Sequence, residues 1–301
     1  MKKSPDLLLT ALAPAIWGSS YITATTFLPD ADPIMVSLLR ALPAGLLLLL
    51  LTRQLPSGIW WLRVAILGFL NFSLFFICLF IAAYLLPGGI AAIVGAVQPL
   101  LVIVLAAAFL GAPVRLLQYF AALLGIVGVA MLMLSPSAEL DPWGLLAGLL
   151  GAGSMACGIV LTRKWQPPVS ALTFTAWQLT AGGVLLIPVV LISGAPLPPA
   201  TADSLVGLVW LSLVGGVITY TLWFRGIGKL GAHIAAPLSF LSPTSAVLLG
   251  WAINGEALNA LQLLGMAIVL FSVMLGSGQV SALRSWLKSR QILQAQPEGR
   301  P

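Results

Sequence analysis

The chain has 301 residues, of which 60% are apolar and 7% charged, with a formal net charge of +6. Soluble domains carry about 25% charged residues, so this composition excludes a water-solvated fold and describes a chain solvated by lipid. The basic excess is accounted for by membrane topology below and calls for no nucleic-acid partner.

Stretches of about 20 apolar residues, the length that crosses a hydrocarbon layer of roughly 30 Å as a helix, follow one another with short connections. Ten are read from the sequence. Lys2 and Lys3 precede the first, Leu7 to Phe27, and Ala11-Leu12-Ala13 imitates a signal cleavage site. The apolar core before that point is shorter than a signal peptide uses, so the segment reads as an uncleaved span. Trp17 and Tyr21 share one of its faces at a spacing of four.

The second span, Ile34 to Thr52, contains Arg40 and Pro43. Arg40 lies about six residues in, roughly 9 Å deep at 1.5 Å per residue. A charge in hydrocarbon costs about 2.5 to 3.5 kcal/mol on insertion scales and is a functional hypothesis by default. Two roles stay open: snorkelling to Asp30 or Asp32 as a structural clamp, or offering a planar fork to a substrate carboxylate.

Asn71 and Phe75 share a face of the third span, Trp60 to Ala83, and the fourth, Gly88 to Leu110, places Gln98 before Pro99. The fifth and sixth run from Leu116 to Leu134 and from Trp143 to Thr162. Thr173, Trp177 and Gln178 lie in the seventh, Ser170 to Ile192; Thr219, Tyr220 and Trp223 lie in the eighth, Ser204 to Phe224. Ser242 precedes Pro243 in the ninth, Ala232 to Ala252, and the tenth runs from Leu258 to Gly276. Pro99 and Pro243 each remove a backbone donor and are expected to kink their helices beside a cavity.

Cytoplasmic loops carry the excess of Lys and Arg. With ten spans, Lys2, Lys3, Arg53, Arg63, Arg115, Arg163, Lys164, Arg225, Lys229 and the tail residues Arg284, Lys288, Arg290 and Arg300 all fall on one side. Asp30, Asp32, Glu139, Asp141, Asp203 and Glu256 fall on the other. The expectation is a multi-pass protein of a bacterial inner membrane with both termini cytoplasmic, monomeric or weakly dimeric.

The sequence also repeats. At one constant offset Pro29 aligns with Pro167, Arg40 with Gln178, Gly45 with Gly183 and Trp17 with Met155; at a slightly longer one Ala91-Ala92 aligns with Ala235-Ala236, Pro99 with Pro243, Gly111 with Gly255, and Leu117-Gln118 with Leu261-Gln262. Residues 1–136 and 137–278 form two five-span repeats, followed by a basic tail, 279–301. An odd span number inverts the second repeat, the architecture of alternating-access carriers with a midplane site.

Aromatic and amide groups of the bundle centre suit small amphipathic solutes, although tryptophans and polar side chains also tie helices together. The substrate-binding candidates are Trp17, Tyr21, Arg40, Asn71, Gln98, Trp177, Gln178, Tyr220, Trp223 and Ser242. No Asp or Glu lies deep in a span, and His233 sits at a span end. Downhill or exchange transport is therefore expected, without cofactor or metal. Cys78 and Cys157 read as inert apolar residues.

Trp17-Gly18-Ser19-Ser20-Tyr21, Leu39-Arg40-Ala41, Asn71-Phe72, Pro99, Pro243 and Gly255-Glu256-Ala257-Leu258 occur in an order and spacing that resembles the EamA family of the drug/metabolite transporter superfamily. The resemblance implies an exporter of amino acids, related metabolites or toxic compounds, with a cavity built by the first four helices of each half. The chain departs from that pattern at Ala112-Pro113, where the family often has a glutamate, and at Met155, where it often has a tryptophan. A broad-range drug exporter is the alternative. An integral membrane enzyme is remote, because no nucleophile with a base, metal cluster or carboxylate pair is apparent.

Overall fold

The computed structural model describes residues 4–29, 31–86, 94–133, 141–254 and 259–276. Asp30, Glu139, Gly255 to Leu258 and the tail lie outside them, as does the side chain of Tyr21. The described residues form helices in the order α1 (Ser4–Trp17), α2 (Ser19–Phe27), α3 (Pro33–Thr52), α4 (Trp60–Gly68) and α5 (Leu74–Leu85). Then come α6 (Gln98–Leu110), α7 (Leu116–Met133), α8 (Pro142–Trp165), α9 (Ala171–Ser193) and α10 (Ala202–Val209). The series closes with α11 (Thr219–Leu230), α12 (Ala232–Ala235), α13 (Leu241–Asn254) and α14 (Ala260–Gly276).

Seven helices among the described residues are long and apolar enough to cross a membrane, and Gln98–Leu110, Leu116–Met131 and Ala260–Gly276 are shorter apolar helices. Leu116, Leu191 and Ile192 expose 84%, 76% and 88% of their surface, so leucine and isoleucine cover the periphery where lipid replaces water.

Short polar residues start the helices. Asp32 accepts from the N–H groups of Ile34 and Met35 at 2.8 and 3.2 Å, with Pro33 opening α3. Asp141, Ser170 and Thr201 cap α8, α9 and α10 in the same way, each supplying an acceptor to an otherwise orphaned backbone donor. Asp32 and Asp141, two of the acidic residues expected from sequence on the non-basic side, are thus helix caps.

Four of the crossings are interrupted. Gly18 separates α1 from α2, and a Cβ there would collide with Ser245 Oγ and the Ser242 carbonyl. A 3-10 turn, Ala236–Phe240, separates α12 from α13. A π-helical segment, Phe69–Ser73, joins α4 to α5, and a second, Trp210–Ile218, joins α10 to α11. Such segments re-aim side chains and carbonyls and cluster at functional sites.

Helix pairing runs between the two halves of the sequence. α3 lies along α9, α7 along α14, α1 along α11 and α5 along α8, while α6 also rests on α8 and α13 on α1. Glycines set the closest approaches. Gly45 meets the backbone of Thr180 and Gly183 meets that of Leu42, so the aligned pair Gly45 and Gly183 make reciprocal contacts at one crossing. Further out, Ser272 Oγ donates to the Ala121 carbonyl at 2.7 Å, and Gly128 lies against the Gly265 carbonyl.

Candidate functional site

The two π segments face side chains from the opposite half. In Trp210–Ile218 the Gly215 carbonyl accepts from Trp17 Nε1 at 3.2 Å, from Arg40 Nη2 at 3.3 Å and from Thr219 Oγ1 at 2.8 Å. Trp17 Nε1 also lies 2.7 Å from Thr219 Oγ1. In Phe69–Ser73 the Leu70 carbonyl accepts from Ser154 Oγ at 2.7 Å. A π segment shifts carbonyls out of the i to i−4 register, and donors from another helix take up that capacity.

Arg40 is 2% exposed, with its guanidinium carbon 4.7 Å from the centre of the Phe76 ring. A cation over an aromatic face is stabilised by about 0.5 to 2 kcal/mol, and the Gly215 carbonyl adds a charge-assisted hydrogen bond. Asp32, one of the two clamp partners expected from sequence, supplies its Oδ1 to the start of α3.

Asn71 lies in the first π segment and donates through Nδ2 to Gln178 Oε1 at 2.7 Å. Both side chains are fully buried. Asn71 Oδ1 presses on Gly158 of α8, where a Cβ would clash with it. Asn71 Oδ1 and Gln178 Nε2 have no hydrogen-bond partner among the described residues, and neither has Trp223 Nε1, which is also fully buried.

Rings fill the space between these polar groups. Trp17 packs on Tyr220 and Trp223 at centroid distances of 4.8 and 5.3 Å, and Phe72 packs edge-on against Tyr220 at 4.6 Å. From Tyr220 a column continues through Phe224 (5.9 Å), Phe174 (5.7 Å) and Trp60 (6.2 Å) to Trp177 (6.3 Å).

Trp177 ends that column at the mouth of a cleft of about 530 Å³, lined with Gln54, Leu55, Ser57, Ser170 and Thr173 among others. Its Nε1 donates to the Gln54 carbonyl at 2.6 Å. Of the sequence candidates, Trp17, Arg40, Tyr220 and Trp223 therefore meet in one cluster, with Asn71 and Gln178 joined as a pair behind Phe72. Trp177 stands at the far end of the column. Gln98 and Ser242 are half-buried at the starts of α6 and α13, with Pro99 and Pro243 buried beside them. Pro99 opens α6 instead of bending it.

Several contributors are not among the candidates read from sequence. Phe76 and Phe224 are ordinary apolar residues by pattern, and Gly215 acts through its backbone. Asp6 pairs with Arg225 at 2.6 Å and with Lys229 at 3.5 Å, tying α1 to α11. Among the described residues no group of three or more His, Cys, Asp or Glu could hold a metal ion.

The family described as the EamA-like transporter family matches residues 5–134 and 142–277. The chain is 42% identical over 266 residues to protein PecM of Dickeya dadantii, covering 87% of this chain and 89% of that protein. It is 31% identical to the uncharacterized inner membrane transporter YedA of Escherichia coli K12, covering 86% of each. A solved crystal structure superposes with a TM-score of 0.78 at 19% identity, covering 91% of this chain and 99% of that one, which is a likeness of fold.

Proposed function

The chain belongs to the EamA-like transporter family, and from that membership we propose that it exports amino acids or related small metabolites by alternating access, downhill or in exchange. It is a multi-pass membrane transporter with bacterial inner-membrane relatives. The ten-span reading, with two inverted repeats and cytoplasmic termini, completes the proposal. Supporting it, each helix pairing has a counterpart displaced by one repeat: α1 with α11 answers α8 with α5, and α1 with α13 answers α8 with α6. Gln118 and Gln262, aligned by the repeat, each accept from the backbone N–H three residues earlier, on Arg115 and Asn259, at 3.0 Å.

The observation that carries the substrate reading is the set of orphaned polar atoms in the core, Asn71 Oδ1, Gln178 Nε2 and Trp223 Nε1. A buried donor or acceptor left unmade costs about 1 to 3 kcal/mol. A solute bearing both a donor and an acceptor would satisfy them, and Arg40 adds the positive charge that a carboxylate requires. The rings of Trp17, Phe72, Tyr220 and Trp223 would hold its apolar part. Since these groups are packed on one another, admission of a solute requires the helices to part, as alternating access demands.

The experiment is counterflow in proteoliposomes loaded with a mixture of amino acids and related metabolites, with and without a pH gradient. Selective exchange of amino acids, insensitive to pH, is the expected result. The aromatic column favours a second reading, in which lipophilic compounds slide along ring faces; exchange of lipophilic cations without dependence on Arg40 would select it.

A further inference from the structure

The connection between α3 and α4 forms a recess beside the cleft that Trp177 closes, with Gln54 and Leu55 lining both. It measures about 370 Å³ and is lined by Leu49, Leu50, Arg53, Gln54 and Leu55. One wall is apolar: Leu50 and Leu55 are 73% and 63% exposed, and Leu46, Leu47 and Leu51 continue the same lipid-facing surface. The other wall is polar. Arg53 is exposed, and its side chain makes no hydrogen bond or ion pair among the described residues. Beside it, Gln54 Oε1 accepts from Thr173 Oγ1 at 3.3 Å, which leaves the amide nitrogen of Gln54 as a second donor.

The backbone at Arg53 adds an independent observation. Arg53 ends α3 with φ 50, in the left-handed region, where glycine sits without steric cost. Glycine fills the equivalent place after α9, at Gly194 with φ 64. At this position arginine is held against its backbone preference, and its cationic side chain is what glycine lacks.

We propose that this recess binds the headgroup of an anionic phospholipid, with Arg53 and the Gln54 amide holding the phosphate and an acyl chain lying along Leu50 and Leu55. The apolar wall distinguishes a lipid from a soluble anion, which would gain nothing from exposed leucines. Basic pockets at the cytoplasmic ends of helices take anionic lipid headgroups by this combination of charge and apolar contact. Assignment to the inner leaflet rests on the orientation proposed above; the headgroup chemistry does not.

The test is binding of phosphatidylglycerol and phosphatidylcholine to the purified full chain, read by native mass spectrometry and by thermal unfolding. Wild-type protein is expected to prefer phosphatidylglycerol by roughly fivefold, the factor for about 1 kcal/mol per basic residue near a membrane surface. Arg53→Gly and Arg53→Asn, both tolerant of the left-handed backbone, are expected to lose that preference. Arg115→Gln, an exposed cation elsewhere, is expected to keep it. Retention of the preference in both Arg53 variants, equal loss in Arg115→Gln, or full competition by glycerol phosphate would each overturn the proposal. Counterflow in phosphatidylcholine alone reports separately on the transport reading.

Discussion

Arg40 and Gln178 occupy aligned positions in α3 and α9, and each reaches the π segment of the other half: Arg40 at the Gly215 carbonyl, 3.3 Å away, and Gln178 at Asn71 Nδ2, 2.7 Å away. The geometry is shared and the chemistry is not. One contact places a cation at a carbonyl, and the other joins two neutral amides. If the halves exchange roles as proposed above, a fixed charge stays on one side of the centre throughout.

Removing that charge tests what it recognises. Arg40→Gln is expected to lower counterflow of amino acids at least tenfold, the scale of one lost charge-assisted contact of about 1.5 to 3 kcal/mol, and to affect their amides less. Equal losses for acids and amides, measured in the same vesicles, would assign Arg40 to holding Gly215 and Phe76 in place. Arg40→Lys is expected to restore little, because an ammonium lacks the planar fork and stacks less well on Phe76.

The amide pair gives a different signature. Asn71→Leu or Gln178→Leu alone leaves one buried amide without its partner and is expected to lower stability by about 1 to 2 kcal/mol. The double variant Asn71→Leu with Gln178→Leu removes both and should regain part of that stability while remaining inactive. Thermal unfolding and counterflow on the three variants decide it; full transport by the double variant would remove the pair from the solute path.

Trp17→Phe keeps a ring against Tyr220 and Trp223 but deletes the donor to Gly215 and Thr219. Loss of about 1 kcal/mol of stability is expected, together with reduced exchange. Trp17→Ala should cost several times more, because the ring contacts go too.

Two glycines of one helix separate steric from conformational effects. At Gly158 a Cβ would occupy the space of the Asn71 amide, whereas at Gly153 no atom lies within 4 Å. Gly158→Ala is expected to abolish transport and reduce stability. Gly153→Ala should leave transport intact and stabilise the helix by up to about 1 kcal/mol. Similar behaviour of the two in thermal unfolding would refute the packing described for Asn71.

Much of this was legible beforehand, for reasons of composition and spacing. Long apolar runs are properties of the sequence itself, and Arg40 stood out because a charge inside an apolar run has few explanations. The repeat offset pointed to Gly45 with Gly183 and to Arg40 with Gln178, and both pairs turned out to occupy matched contacts. The π segments were not legible, since Leu70 and Gly215 act through carbonyls that any residue carries. Nor was the placement of Trp177: a tryptophan at helical spacing from Thr173 reads alike whether it faces the centre or closes the column at Gln54.

The crossing of α3 and α9 has a consequence for the energetics of switching. Gly45 touching Thr180 and Gly183 touching Leu42 are one contact written twice, so exchanging the halves maps it onto itself. Under the alternating access proposed above, the α1–α11 and α5–α8 interfaces would exchange roles, whereas this one, like that of α7 with α14, is its own counterpart. In that proposal it serves as the fulcrum: a tilt about two backbones in direct contact changes angles without unburying surface, and bulk added at Gly45 or Gly183 would lift the beam off its bearing.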